Sequence, residues 1–278
     1  MVNIITDSTS DLGSGAAAEF KLTVIPLLVT IGGKTYQDGL DIHQDSLFTL
    51  IQEHNELPKT AAPSVGEFSK AFDQPGESIF ICISSKLSAT FQNARLAADM
   101  APAGKIRVID SLNLSTGVGL LALRAAGLRD RGLSAEKIEQ ELLASVPKLR
   151  VSFVIDTMEY LYKGGRCTAL QALAGSVLKI HPVIEVRSDG TLGVKSKARG
   201  TLRKGYQMLL DDMEAHLPEL DRERIFVTYT STSEENVQLL LDEVRRIAAP
   251  RDLRVTRAGS VIASHCGPGT AGILYFVQ

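Results

Sequence analysis

Ser78-Ile79-Phe80-Ile81-Cys82-Ile83 runs straight into Ser84-Ser85-Lys86-Leu87-Ser88-Ala89-Thr90 and then into Phe91-Gln92-Asn93-Ala94-Arg95-Leu96-Ala97-Ala98. An unbroken apolar run has no solvent face, so it suits a strand covered on both sides rather than one that alternates between core and water. The hydroxyl-rich loop behind it has the side chains that cap helices, and the stretch after the loop is helix-like. Strand, capped loop and helix form the repeating unit of parallel α/β winding. The same unit recurs on either side, with Asn3–Thr6 before Asp7-Ser8-Thr9-Ser10, Thr23–Val29 as a further run, and Ile106–Asp110 before Ser111. Ligands of such sheets gather at the carboxyl ends of the strands.

Further along, Leu133, Ile138, Leu142, Leu143 and Val146 mark an amphipathic helix behind the cap candidate Ser134. This helix closes the first unit and predicts a boundary near residue 150. Val151–Ile155 opens a second unit. Val183–Val194 reads as a hairpin around Asp189-Gly190, and Arg224–Thr230 as another strand. The expected architecture is two-domain α/β, with a parallel-sheet domain over residues 1–150 and a second α/β domain over 151–278. A chain of 278 residues, 44% hydrophobic, accommodates two domains of ordinary size.

Thirty Lys and Arg against 32 Asp and Glu leave no global field for nucleic acid or an anionic membrane surface. No apolar run reaches the roughly 18 residues of a spanning helix, and Met1–Asp7 carries no export signature, so a cytoplasmic protein is expected. Three unevenly spaced cysteines fit reduced thiols, and five scattered histidines give no metal site.

Near the C-terminus, Val261-Ile262-Ala263 leads to Ser264-His265-Cys266-Gly267-Pro268-Gly269, which reads as a strand delivering an imidazole to a glycine-rich loop. A lone histidine is commonly a satisfied core residue; the glycines beside His265 favour a site by permitting close backbone approach to a ligand. Lys59-Thr60-Ala61-Ala62-Pro63-Ser64 and the Ser84–Thr90 loop each stand where a helix should begin. Their hydroxyls serve equally as caps or as neutral donors to a carboxylate. The acidic loop Asp7–Asp11 reads as a cap. Lys195–Lys204 holds five basic residues and no acid, a local positive patch, and Lys163-Gly164-Gly165-Arg166 is a second basic turn whose glycines suit a helix stop. A hydrolase or acyltransferase using Ser88 or Cys266 with His265 is the alternative, although no Gly-x-Ser-x-Gly elbow surrounds either residue.

Taken in order, Ile5–Leu12, Tyr36–Ile42, Lys59-Thr60 with Pro63-Ser64, Leu87–Phe91, Gly164–Arg166, Lys179–Ile184 and His265–Gly269 resemble the motifs of the DegV family of bacterial fatty-acid-binding proteins. The resemblance runs nearly end to end. It implies a long-chain fatty acid in a tunnel between two α/β domains, with no cofactor and no catalysis by the carrier itself. Thr60, Ser88 and His265 would hold the carboxylate. Thr90, Arg199 and Gly267 are secondary candidates for ligand or partner contact, with Arg199 near the exit. The implied partner is a fatty-acid kinase that phosphorylates the bound acid to an acyl phosphate for phospholipid synthesis. Leu170–Ile180 has the small and branched side chains of a tunnel wall. Where the family usually reads Thr-Ser-Gln-Pro and Leu-Ser-Gly-Thr, this chain has Thr60-Ala61-Ala62-Pro63 and Leu87-Ser88-Ala89-Thr90.

Overall fold

The computed structural model describes residues 2–167 and 180–278. The first half runs β1 (Asn3–Asp7), α1 (Gly13–Glu19), β2 (Leu22–Ile25), β3 (Leu28–Ile31), β4 (Lys34–Gln37), α2 (Gln44–His54), β5 (Lys59–Ala61), α3 (Val65–Phe72), β6 (Ser78–Cys82), α4 (Thr90–Asp99), β7 (Ile106–Asp110), α5 (Thr116–Asp130) and α6 (Ala135–Ser145). The second half runs β8 (Leu149–Val154), α7 (Glu159–Gly164), β9 (Ile180–Val186), β10 (Leu192–Arg199), α8 (Leu202–Ala215), β11 (Leu220–Tyr229), α9 (Glu234–Ala248), β12 (Asp252–Arg257), α10 (Ser260–Cys266) and β13 (Ala271–Val277). Among the described residues three sheets result, ordered β2-β1-β6-β7, β10-β9-β8-β13-β11-β12 and β4-β3-β5. The first is wholly parallel. The second is antiparallel except for the β11–β12 pair.

Strand β6 shows why its sequence is apolar throughout. Ile79 and Ile81 enter a core with α5 and α6, whereas Phe80 and Cys82 enter another with α3 and α4. On that second face Phe68, Phe72 and Phe80 form a cluster with ring centroids 5.2 to 5.7 Å apart. The run Thr23–Val29, by contrast, is two strands rather than one. Pro26 lacks the N–H a ladder needs, so β2 ends at Ile25 in the parallel sheet and β3 begins at Leu28 in the small antiparallel one.

Helix α5 is buried nearly all round. The core it occupies takes Ile4, Ile79 and Ile81 from the first sheet and Val151, Phe226, Leu274 and Phe276 from the second. Close approach is possible because residue 119 is glycine; a Cβ there would lie 2.8 Å from the Ser10 carbonyl oxygen. The Thr116 and Thr228 hydroxyls, 2.6 Å apart, tie the same helix to β11.

Ser134 caps α6 as expected, its hydroxyl accepting from the Lys137 amide. The β9–β10 hairpin turns at Asp189-Gly190, with Gly190 at φ +82°. Its tip docks on the first half of the chain, where the Ser84 hydroxyl donates to the Gly190 carbonyl at 2.8 Å. Among the described residues no helix is long and apolar enough to cross a membrane. Most of the proposed wall Leu170–Ile180 lies outside the described residues.

Candidate functional site

Lys59–Ala61 is a strand rather than a helix start. Strand β5 pairs with β3, setting Thr60 opposite Val29, because the extended register places alternate residues on one face of the small sheet. The helix expected there begins after Ser64, whose hydroxyl accepts from the Glu67 amide while Glu67 accepts from the Ser64 amide at 2.7 Å.

Val261-Ile262-Ala263 is also not a strand. It belongs to α10, since periodicity does not separate a short apolar run in a strand from one in a buried helix. Val261 and Ala263 pack against Leu27 and Val29, so α10 and the small sheet are held together by their own core. This packing brings His265 Nε2 to 2.8 Å from Thr60 Oγ1.

The two residues open on a cavity of ≈ 240 Å³. Its walls are mostly apolar, including Leu27, Ile83, Leu114, Leu161, Leu192 and Ile262, and its polar groups are Thr60, Ser88, His265 and Arg166. Ala61, Ala62 and Ala89 also line it, so the three departures from the family pattern fall on the wall itself. A smaller void beyond, ≈ 20 Å³, shares Leu114, Ile262 and Cys266 with the first.

Burial, followed by the Arg166 charge, holds the His265 imidazole down at about 4, so the ring is neutral near pH 7 and carries one proton. Nδ1 is buried with no hydrogen-bond partner among the described residues. An orphaned N–H is costlier than an orphaned lone pair, so we assign the proton to Nε2. Nε2–H then donates to Thr60 Oγ1, leaving the Thr60 hydroxyl hydrogen free for a guest.

Ser88 lines the cavity one residue before Ala89, the N-cap of α4, and its hydroxyl lies 2.8 Å from that of Thr90. The positive end of the α4 dipole therefore stands beside the cavity. Thr90 is fully buried behind Ser88 and is not part of the wall. Gly267 ends α10 at φ +73°, where a Cβ would lie 2.6 Å from the Tyr160 ring; it too is outside the lining. Arg199 ends β10 as an exposed residue away from the lining. Of its basic run, Lys195 pairs with Asp212 at 2.5 Å and Arg203 with Glu235 at 2.5 Å. Among the described residues Lys197, Arg199 and Lys204 form no ion pair.

Sequence reasoning passed over Arg166 as a wall residue. The signal was the neighbouring Gly164-Gly165. Gly165 does close α7, its amide donating to the Tyr162 carbonyl, but Gly164 lies against the His265 ring. Cys266 is buried, and burial together with the Asp11 charge pushes its thiol up to about 12, so it stays protonated. The Ser88 hydroxyl bonds Thr90, and the His265 nitrogen that has a partner bonds Thr60, so neither candidate nucleophile is paired with the base. Among the described residues no cluster of three or more His, Cys, Asp or Glu is arranged to hold a metal ion.

The loop Asp7–Asp11 does cap, and over long range. Asp7 caps its own short turn through the Thr9 amide and also accepts from the Ile83 amide at 2.9 Å. Its carboxyl is pushed up to about 6 by burial. Asp11 Oδ1 accepts from the Gly259 amide at 2.8 Å, and Asp38 Oδ1 from the Ser260 amide at 2.7 Å.

The family model described as "Uncharacterised protein, DegV family" matches residues 1–278. A DegV domain-containing protein of Caldanaerobacter subterraneus is 32% identical over 283 residues, covering 99% of this chain and 98% of that one. Among solved structures, a DegV family protein from Thermus thermophilus described by its fatty acid binding is similar with a TM-score of 0.92 and 33% identity, over 100% of this chain and 99% of that one. DegV of Bacillus subtilis, described as a fatty acid binding protein, is similar with a TM-score of 0.84 and 28% identity, over 100% and 99%. The α/β architecture and the end-to-end match agree: the chain belongs to the DegV family.

Proposed function

We propose that this protein binds a long-chain fatty acid, with its carboxylate at Thr60, Ser88 and His265 and its tail between the units 1–150 and 151–278. The observation that carries the reading is the Thr60–His265 hydrogen bond on the wall of a mostly apolar cavity. A C16 tail has about 14 methylenes, and at about 0.8 kcal/mol per buried CH₂ the gross transfer term is about 11 kcal/mol before ordering costs. The tail thus supplies affinity, and the polar end orients it. Hydroxyls, that of Thr60 polarised by a neutral imidazole, stabilise a carboxylate without a buried counter-charge that would itself need desolvation. Arg166, exposed at the edge of the cavity, adds a solvated positive charge there. Fatty acid binding by the Thermus thermophilus and Bacillus subtilis relatives supports the same ligand class.

The finer part of the proposal is that the bound acid is presented to a fatty-acid kinase, which phosphorylates it to an acyl phosphate for phospholipid synthesis. The motif resemblance supports it, and Arg199, exposed and without an ion-pair partner among the described residues, suits a docking role. The protein acts as a carrier in this reading and contributes no catalytic residue.

The test is a native mass spectrum of the purified protein followed by extraction of any excess mass, beside the same measurement on the Thr60→Ala/Ser88→Ala double variant. One fatty acid bound to the wild type and lost from a folded double variant supports the site. A wild type that stays free of lipid after incubation with C14 to C18 acids overturns it. Arg199→Ala then separates docking from binding, because it should retain the lipid and lose kinase-dependent phosphorylation.

A further inference from the structure

Helix α10 supplies four wall residues, Val261, Ile262, His265 and Cys266, yet it has only seven residues and begins after Gly259, which has no side chain to cap it. A helix start leaves four amides unpaired, and so short a helix contributes little stability of its own. The caps come from the far end of the chain. Asp11 bonds the Gly259 amide and Asp38 the Ser260 amide, across 248 and 222 residues.

Both acids are themselves anchored, Asp11 through its side chain and Asp38 through its backbone. Asp11 Oδ2 accepts from the Ser115 hydroxyl at 2.6 Å, and the Asp38 amide donates to the Leu27 carbonyl at 2.9 Å. Gln44 Nε2 donates to the Ala258 carbonyl at 2.9 Å, fixing the residue before the cap position Gly259. The grip is close: a Cβ on Gly259 would lie 3.1 Å from Asp11 Oδ1 and from both Asp38 oxygens. The two acids are 5% and 3% exposed. Their oxygens satisfy amides that the helix start would otherwise leave unpaired in a buried place. At about 1.5 Å per residue, the anchored amide of Ser260 and the imidazole of His265 are separated by little more than one turn. Fixing one end of so short a rod fixes the other.

We propose that Asp11 and Asp38 are positioning residues of the carboxylate site: they set the rotation and depth of α10 and so hold the His265 ring on Thr60. The effect on lipid affinity rests on the fatty-acid reading, whereas the effect on the ring does not.

The experiment follows the His265 ring resonances by NMR in lipid-free protein with labelled histidine, assigned with His265→Gln, and measures palmitate affinity in parallel. Asp38→Ala should shift the His265 signal and weaken palmitate binding about tenfold, the scale of a lost cap. Asp38→Asn keeps an acceptor for the Ser260 amide and should restore both to near wild type. An unmoved His265 signal in folded Asp38→Ala, or an Asn variant as impaired as Ala, overturns the proposal. If Asp38→Ala does not fold, Gly259→Ala decides: it retains both acids but crowds them, so the His265 signal should move, and an unmoved signal overturns the proposal. A wild type that binds no palmitate defeats the fatty-acid reading alone, since the ring signal still tests the positioning.

Discussion

Gly164 lies directly against the His265 imidazole: a Cβ at residue 164 would come 2.5 Å from Nδ1 and 3.3 Å from Cε1. No other residue type fits unless the ring moves, and moving the ring lengthens its bond to Thr60. Gly164→Ala should therefore weaken palmitate binding about tenfold, the scale of one net hydrogen bond, while the melting temperature changes little because alanine suits the end of α7. Isothermal titration of the folded variant is the measurement, and an unchanged affinity would mean that the ring has room elsewhere.

Thr60 should be sensitive to the loss of its oxygen and tolerant of the loss of its methyl. Thr60→Val leaves Nε2–H without an acceptor and removes the donor to a guest, so palmitate affinity is expected to fall by about tenfold or more, whereas Thr60→Ser stays within about twofold. Hexadecanol has the same tail without the charge. Its affinity should be nearly equal in all three proteins if the hydroxyl acts on the carboxylate.

Acid should weaken the fold through His265. The folded ring titrates at about 4 and an unfolded histidine near 6.5, so between those values the unfolded chain binds more protons and stability falls as pH falls. From pH 7 to pH 5 the loss from this group is about 1–2 kcal/mol. Asp7, Asp11 and Asp38, whose carboxyls burial raises, act with the opposite sign in the same window. Chemical denaturation of wild type and His265→Gln at both pH values isolates the histidine, since the carboxylates cancel in the difference. Equal pH slopes for the two proteins would mean that the ring is already charged in the fold.

The thiols should be inert in the native protein. Cys82, Cys167 and Cys266 are all buried, and the Cys266 thiol is held up at about 12. Iodoacetamide at pH 8 should add no mass to the native protein and three adducts in denaturant. Rapid native alkylation at Cys266 would revive a thiolate mechanism.

Ile262 stands between the main cavity and the smaller void behind it. Ile262→Ala should join the two at a stability cost of about 2–4 kcal/mol and move the preferred acid toward longer tails. A competition among C14, C16 and C18 acids reads the change. The same ranking as wild type would place the end of the tail elsewhere.

Much of this molecule was legible in its residues, and what was not has physical causes. The β6 run announced a two-faced strand because both of its faces are core. Helix α5 carries no amphipathic pattern for the corresponding reason: with both sheets packed on it, it has no wet face to mark. Val261–Ala263 has the composition of a strand, and the caps that serve it as a helix come from Asp11 and Asp38, more than 200 residues away. Thr60, Ser88 and His265 could be nominated through the motif resemblance, because hydroxyls in such loops serve equally as caps and a lone histidine is commonly a core residue. Arg166 and Gly164 were missed as site residues because a Gly-Gly-Arg turn ends helices in any protein. Only the folded chain sets Gly164 against the His265 ring and Arg166 on the cavity wall.

The core shared by the two sheets bears on traffic through the cavity. Parting the sheets like a book would wet Phe226, Leu274 and Phe276 along with Ile79 and Ile81, at about 1.5–3 kcal/mol for each large side chain. On the fatty-acid reading, a guest would therefore thread lengthwise past the cavity rim, and would leave the same way. Residence time should then lengthen with every carbon of the tail, so the shared core would make departure a matter of the cargo's own length.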